Sequence, residues 1–217
     1  VKEVILSDAQ LMELEDIYHK LQQEYERVAE ALDFSCKGCP DNCCDSYFLH
    51  HTYAEWAHLW LGVRELAPER RRALIARARS YLEQCQQDVD AGRRPQIMCP
   101  LNEEGLCVLY RNRLLVCRIH GVPATMTRPD GQALRFPGCF RCQGIVDGRG
   151  KGAQVPHVER TGLLKKLALL ENQLLDNKRH LVPKVKKTIA EMLVLGPPAI
   201  PRSFCEKRAD GSGEENK

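Results

Sequence analysis

The chain has 217 residues, 43% of them hydrophobic and 28% charged, with a mean hydropathy of -0.40; it is long enough to bury a core, and no apolar run approaches the roughly 20 residues that span a bilayer. A net charge of +3 is too near neutral to argue for a nucleic-acid partner on bulk charge, and aromatics at 6% are scarce for base stacking. Eleven cysteines exceed ordinary usage, and residues 1–32 show no basic n-region followed by an apolar h-region, so the expected compartment is the cytoplasm, where clustered thiols stay reduced and more often hold metal than one another.

Ser7 and Gln10 make a capping-box pair, and behind them Leu11, Leu14, Tyr18, Leu21, Tyr25, Val28 and Leu32 recur three and four residues apart, which predicts an amphipathic helix over 8–33. Its heptad seam packs on the rest of the chain or, as the alternative, on a partner protein or a second copy in a coiled coil. After a cysteine-rich loop, Thr52 and Glu55 open a short helix toward Leu66. Pro68 opens the next, running to Asp90 with Leu74, Ile75, Ala78, Tyr81, Leu82 and Cys85 on one face, while Arg70, Arg71, Arg72, Arg77 and Arg79 read as its solvated side. Residues 91–157 carry turn signals at Asn102 to Gly105, Asp130-Gly131 and Pro137-Gly138, predicting loops, short hairpins and a helical turn or two between Asn112 and Ile119. A long helix over 159–180 has Leu163, Leu167, Leu170 and Leu174 on one stripe, and Pro183 opens a last helix to Leu195. Residues 196–217, with Pro197, Pro198 and Pro201 and then a polar end, read as a disordered tail. The expected fold is mostly α: one domain over 1–195, with long N- and C-terminal helices (8–33 and 159–195) packed together around a loop-rich, metal-stapled cysteine core.

Nine cysteines fall in three groups within the irregular segments: Cys36, Cys39, Cys43 and Cys44; Cys99, Cys107 and Cys117; Cys139 and Cys142. Cys36/Cys39 and Cys139/Cys142 each have the Cys-x2-Cys spacing that turns two thiolates toward one centre, for a tetrahedral zinc or the corners of an iron–sulfur cluster. Neighbouring side chains diverge, so Cys43 and Cys44 do not readily share a small ion; they suggest two centres, or one ligand and one reactive thiol. Nine sulfurs also exceed the four that one closed site uses. Between Val108 and Lys151 eight basic residues face two acidic ones, a field that favours thiolates and offsets a sulfur-ligated centre. Cys85, on an apolar helix face, and Cys205, in the tail, are excluded as ligands, and His50, His51 and His120 flank the clusters as lesser candidates. No Walker loop, dinucleotide fingerprint, Gly-x-Ser-x-Gly or His-Glu-x-x-His is present.

The ordered series Cys36-x2-Cys39-x3-Cys43-Cys44, Cys99-Pro100-Leu101 and Gly105-x-Cys107-x2-Tyr110-x2-Arg113-x3-Cys117-Arg118 resembles the YkgJ-like cysteine-cluster family of zinc- or iron-chelating proteins over residues 34–121. The chain departs from that pattern by three residues rather than two between Cys39 and Cys43, and by Leu114 where the family has proline. Cys139 and Cys142 lie outside it. A related cysteine module occurs within flagellin lysine methylases linked to iron–sulfur chemistry, which tilts the expectation toward iron. The expected function is metal binding at one or two centres, an iron–sulfur cluster favoured slightly over zinc, in a structural, carrier or sensor role. The alternative is an iron–sulfur or thiolate-dependent redox or group-transfer enzyme, or an accessory module of one.

Overall fold

A computed structural model describes residues 2–37, 39, 43–150 and 154–200. The chain opens with strand β1 (Lys2–Glu3), and helix α1 (Asp8–Ala31) follows from a reciprocal capping box: the Ser7 side chain accepts from the Gln10 amide, and the Gln10 side chain accepts from the Ser7 amide at 3.0 Å. Past α1, Asp33 takes a left-handed φ of 51° and turns the chain into the cysteine loop. A 3-10 turn at Cys43–Asp45 leads to α2 (Tyr53–Glu65), capped by the Thr52 hydroxyl, and Pro68 stands in the first turn of α3 (Pro68–Asp90).

The middle of the chain is built of short pieces. The hairpin β2 (Asn102–Glu103) and β3 (Leu106–Cys107) is followed by a 3-10 turn at Tyr110–Asn112 and the five-residue helix α4 (Leu115–Ile119). β4 (Ala124–Thr127) pairs with β5 (Ala133–Phe136) across the Asp130-Gly131 turn and, on its other edge, runs parallel to β6 (Val158–Glu159). Between β5 and β6 lies α5 (Phe140–Gly148), a helix that the turn-rich composition does not predict. The chain ends with α6 (Thr161–Leu174), α7 (Ile189–Leu195) and β7 (Ala199–Ile200).

Mostly α is therefore the observed class, and the two terminal stripes meet as expected. Leu14, Ile17, Tyr18 and Leu21 of α1 share one buried cluster with Leu167 and Leu170 of α6, closed below by Leu115 and Ile119 of α4. The seam that a coiled-coil partner would need is thus buried inside the chain. A larger cluster joins α2, α3 and α7, where the indole nitrogens of Trp56 and Trp60 both donate to the Met192 carbonyl, at 3.2 and 3.0 Å. A third, of Val28, Leu32, Phe34, Val122, Ala124, Cys142 and Val158, seats α5 and the small sheet against the end of α1.

Several boundaries differ from expectation. The helix expected to 180 stops at Leu174, because Asp176 and Asn177 both take left-handed φ values (53° and 59°) that no helix continues through. The last helix starts at Thr188, where a Thr188–Glu191 capping box forms, and not at Pro183; Lys187 is instead bridged to the backbone of His50. Residues 196–200 are not tail: β7 pairs antiparallel with β1, bringing the two ends of the described chain together. The remainder of that expected tail, with Cys205, lies outside the described residues. Arg70 and Arg77 are not merely solvated, since both hold Glu103, at 2.7 and 2.6 Å, and Arg77 also donates to the Pro100 carbonyl at 3.1 Å. They clamp the Cys99–Cys107 segment onto α3. Among the described residues no helix is long and apolar enough to cross a membrane.

Candidate metal centre

The cysteines expected as ligands fall into two overlapping electrostatic neighbourhoods, Cys43 being influenced by Cys44 as well as by Cys36 and Cys139. The inner group draws one residue from each of four segments: Cys44 from its 3-10 turn, Cys99 from the strap after α3, Cys107 from β3 and Cys117 from α4. The Cys99 amide donates to the Cys44 carbonyl at 2.9 Å, and the Val108 amide to the Leu101 carbonyl at 2.9 Å, which stitches the three loops together. Burial pushes the Cys99 thiol up to about 12, and Cys44 and Cys107 push it further in the same direction. Burial likewise raises Cys117, followed by Cys99, Cys107 and Cys44, so the four sulfurs lie within one another's electrostatic reach. Cys107 is raised by burial and by Cys44, with the Arg113 charge working the other way.

The outer group comprises Cys36, Cys39, Cys43, Cys139 and Cys142. Burial foremost, then Cys44, Cys36 and Cys139, push Cys43 up to about 11 although the residue keeps an exposed face. Cys142, fully buried, is raised to about 11 by burial and by Cys139 and Cys36. Arg141 sits beside Cys39, with Cys139 and Cys36 also in its field, and its charge is favoured by all three. The Tyr25 hydroxyl lies 3.6 Å from the Cys36 sulfur. Two glycines make room for this corner: a Cβ on Gly121 (φ 128°) would meet the Tyr25 hydroxyl at 2.7 Å, and one on Gly138 (φ 85°) would meet the Gly121 carbonyl oxygen at 2.6 Å. The Cys139 amide donates to that same Gly121 carbonyl at 3.0 Å, which ties the start of α5 to the end of α4.

Two buried carboxylates hold the scaffold of the inner group. Glu171 of α6 accepts from the amides of Tyr53 and Ala54, both at 2.9 Å, and so caps α2 from a distant segment. Glu55 of α2 then accepts from the Leu115 amide at 2.9 Å and from the Thr52 hydroxyl at 2.8 Å. Helix α4 with Cys117 is therefore placed by α2, and α2 by α6. Arg118 locks the preceding loop, donating to the carbonyls of Arg113 and Arg111 while its guanidinium lies 4.3 Å from the centre of the Tyr18 ring.

A cavity of about 390 Å³ is lined by Cys36, Cys43, Cys44, Cys99, Cys107 and Cys117 together with Phe48, His50 and His120. Among the described residues that line it none is a carboxylate. His50 is 2% exposed, neither of its ring nitrogens has a hydrogen-bond partner among the described residues, and burial lowers its pKa to about 3. His120 stacks edge-on against Phe48 at 5.0 Å, and His51 is exposed.

Among the described residues no three His, Cys, Asp or Glu side chains are already gathered as metal ligands. The chemistry of the donor set nonetheless fits a soft or borderline cation: desolvated sulfurs that raise one another's proton affinity are relieved when a cation replaces the protons. Sequence reasoning missed Tyr25, Glu55 and Glu171 as parts of the site, whereas Arg141 belongs to the basic stretch expected to favour thiolates. Tyr25 reads as one more member of the apolar stripe of α1, and Glu171 as a polar residue of an amphipathic helix, so neither carries a local signal. Compared with known proteins, the chain matches no family model, no curated protein and no solved structure.

Proposed function

We propose that this is a metal-binding cysteine-cluster protein of the YkgJ-like kind, holding an iron–sulfur cluster in preference to zinc, in a structural, carrier or sensor role. The observation that carries the reading is convergence: cysteines 63 and more residues apart in sequence, such as Cys36 with Cys139 and Cys44 with Cys107, share electrostatic neighbourhoods in a part of the chain built of loops, two-residue strands and short helical turns. Such a segment gains order when a cation joins its thiolates. The family placement rests on the ordered cysteine series over 34–121, and iron is favoured by a ligand supply beyond four and by basic residues beside the sulfurs, Arg113 at Cys107 and Arg141 at Cys39.

One observation supports the enzymatic alternative. The cavity beside the thiols, with an unpartnered neutral imidazole on its wall, is large enough to admit a small molecule. Anaerobic isolation followed by an absorption spectrum and by iron, zinc and sulfide analysis tests the main reading. A brown protein, bleached by dithionite and carrying acid-labile sulfide matched to iron, is the expected result. Colourless protein with stoichiometric zinc would transfer the proposal to zinc, and metal-free protein that takes up neither would end it.

A further inference from the structure

Six cysteines are among the described residues that line the cavity, and Cys139 and Cys142 are not among them. They stand instead at the start of α5, Cys139 as its N-cap and Cys142 three residues on. Two other helix starts show what those positions do in this fold. The N-caps Ser7 (φ -70°, ψ 163°) and Thr188 (φ -72°, ψ 161°) each turn a side chain onto that of the residue three positions later, with Ser7 Oγ 3.1 Å from Gln10 Oε1 and Thr188 Oγ1 2.9 Å from Glu191 Oε2. Cys139 has the same backbone, φ -74° and ψ 162°, and its side chain makes no capping hydrogen bond. Residues three apart across a helix start also have Cα atoms within about 4.4–6.8 Å of each other, the window a disulfide needs.

The two thiols are unequal in access. Cys142 is fully buried in the cluster with Val28, Leu32 and Val158, whereas Cys139 is only part-buried and neighbours Phe140, which is 64% exposed. The turn that presents Cys139 is held from both sides: its amide donates to the Gly121 carbonyl at 3.0 Å, and the Gln143 side chain donates to the Gly138 carbonyl at 2.9 Å. Arg141, between the two in sequence, has Cys139 in its field, so a negatively charged reactant is drawn to the reachable thiol. We propose that Cys139 and Cys142 form a thiol–disulfide exchange site that reduces small, negatively charged disulfides, with Cys139 as the entering thiol and Cys142 as the resolving one. Cys139, as thiolate, attacks one sulfur of the substrate disulfide; that S–S bond breaks, one thiolate leaves, and a mixed disulfide stands on Cys139. Cys142 then loses its proton and attacks the Cys139 sulfur, which expels the second thiolate and closes the Cys139–Cys142 bond. Two electrons pass from the protein dithiol to the substrate, both protons end on the two thiols released, and an excess of a low-molecular-weight thiol restores the dithiol. The site goes beyond the metal-binding reading and does not rest on it: a cation held by these sulfurs would close the exchange, and its removal would open it.

The test treats the full-length reduced chain with glutathione disulfide, both as isolated anaerobically and after a chelator has removed metal. Alkylation, trypsin digestion and mass spectrometry without reductant follow. Trypsin cuts after Arg135, Arg141 and Arg149, so the expected bond appears as peptide 136–141 joined to peptide 142–149, a wild-type readout that needs no variant to fold. Cys142→Ala should stop at the mixed disulfide, with glutathione held on peptide 136–141, and Cys139→Ser should leave Cys142 reduced. A joined pair that forms only after chelation would support the site and show that a bound cation closes it. Cys139 and Cys142 left alkylated in both preparations, Cys139 joined instead to Cys36 or Cys39, or glutathione kept on wild-type Cys139 without closure would overturn the proposal. Metal content measured on the same samples decides the metal-binding reading separately.

Discussion

At the scale of single residues, burial sets the behaviour of the histidines. Burial holds His50 at about 3; burial first, then the Arg118 charge, holds His58 at about 4. An unfolded chain takes up these protons near the ordinary value of 6.5, so between that pH and the folded values the unfolded state binds more protons and stability falls with acid. The contribution is intact above about pH 7 and amounts to about 2 kcal/mol lost per histidine by pH 5. Urea denaturation at pH 7.5 and 5.0 should show this slope, and His58→Phe should remove its share; an unchanged slope would refute the assignment. Among the cysteines, Cys117→Ser should lower both metal content and stability, whereas Cys85→Ala should leave metal content alone. Cys85 is 8% exposed on the core face of α3, and it neighbours Tyr81, Asp88 and Glu191, with no expected ligand among the groups that shift it. Metal analysis of the two purified variants separates these roles.

At the scale of elements, position passes from helix to helix through buried carboxylates. Removing the Glu171 side chain leaves the Tyr53 and Ala54 amides at the start of α2 without acceptors. Glu171→Ala should therefore cost about 2–4 kcal/mol in chemical denaturation. Glu55→Ala exposes a different link, since it frees the Leu115 amide at the start of α4. It should cost about 1–3 kcal/mol and, unlike a simple core defect, weaken metal retention at Cys117 more than at Cys139. Retention measured by competition with a chromophoric chelator decides between the two. Gly138→Ala should have the opposite bias, because both its positive φ and the close Gly121 carbonyl oppose a side chain beside Cys139.

At the scale of the whole molecule, two regimes of stabilisation sit side by side. The long helices bury continuous apolar stripes on one another and on α7, while residues 96–150 consist of short pieces that each add only a few side chains, such as Leu101, Leu109, Leu115 and Val122, to those clusters and the third one. On the proposed metal-binding reading, removing the metal should leave most of the helical circular dichroism in place and open residues 96–150 to limited proteolysis, with cuts mapped by mass spectrometry. Loss of helical signal in step with metal removal would show instead that the whole fold depends on the centres.

The sequence alone determined whatever has a local period or a fixed spacing. The α1 stripe, its capping box, the Pro68 helix start and the Asp130-Gly131 hairpin were legible because each depends on residues a few positions apart. The nine cysteines stood out by type and clustering. Their partition did not: whether Cys43 and Cys44 face one neighbourhood or two depends on where α4, β3 and α5 return in space, and that is set by Glu55, Glu171 and the Gly121–Gly138 contact, all of them long-range. The same holds for α5, whose helix packs its fully buried Cys142 against the end of α1 in a segment of turn-forming composition, and for β7, which exists only because β1 lies beside it. Two-residue strands and one-turn helices draw their stability from tertiary partners, so their sequences carry no period from which they could have been read.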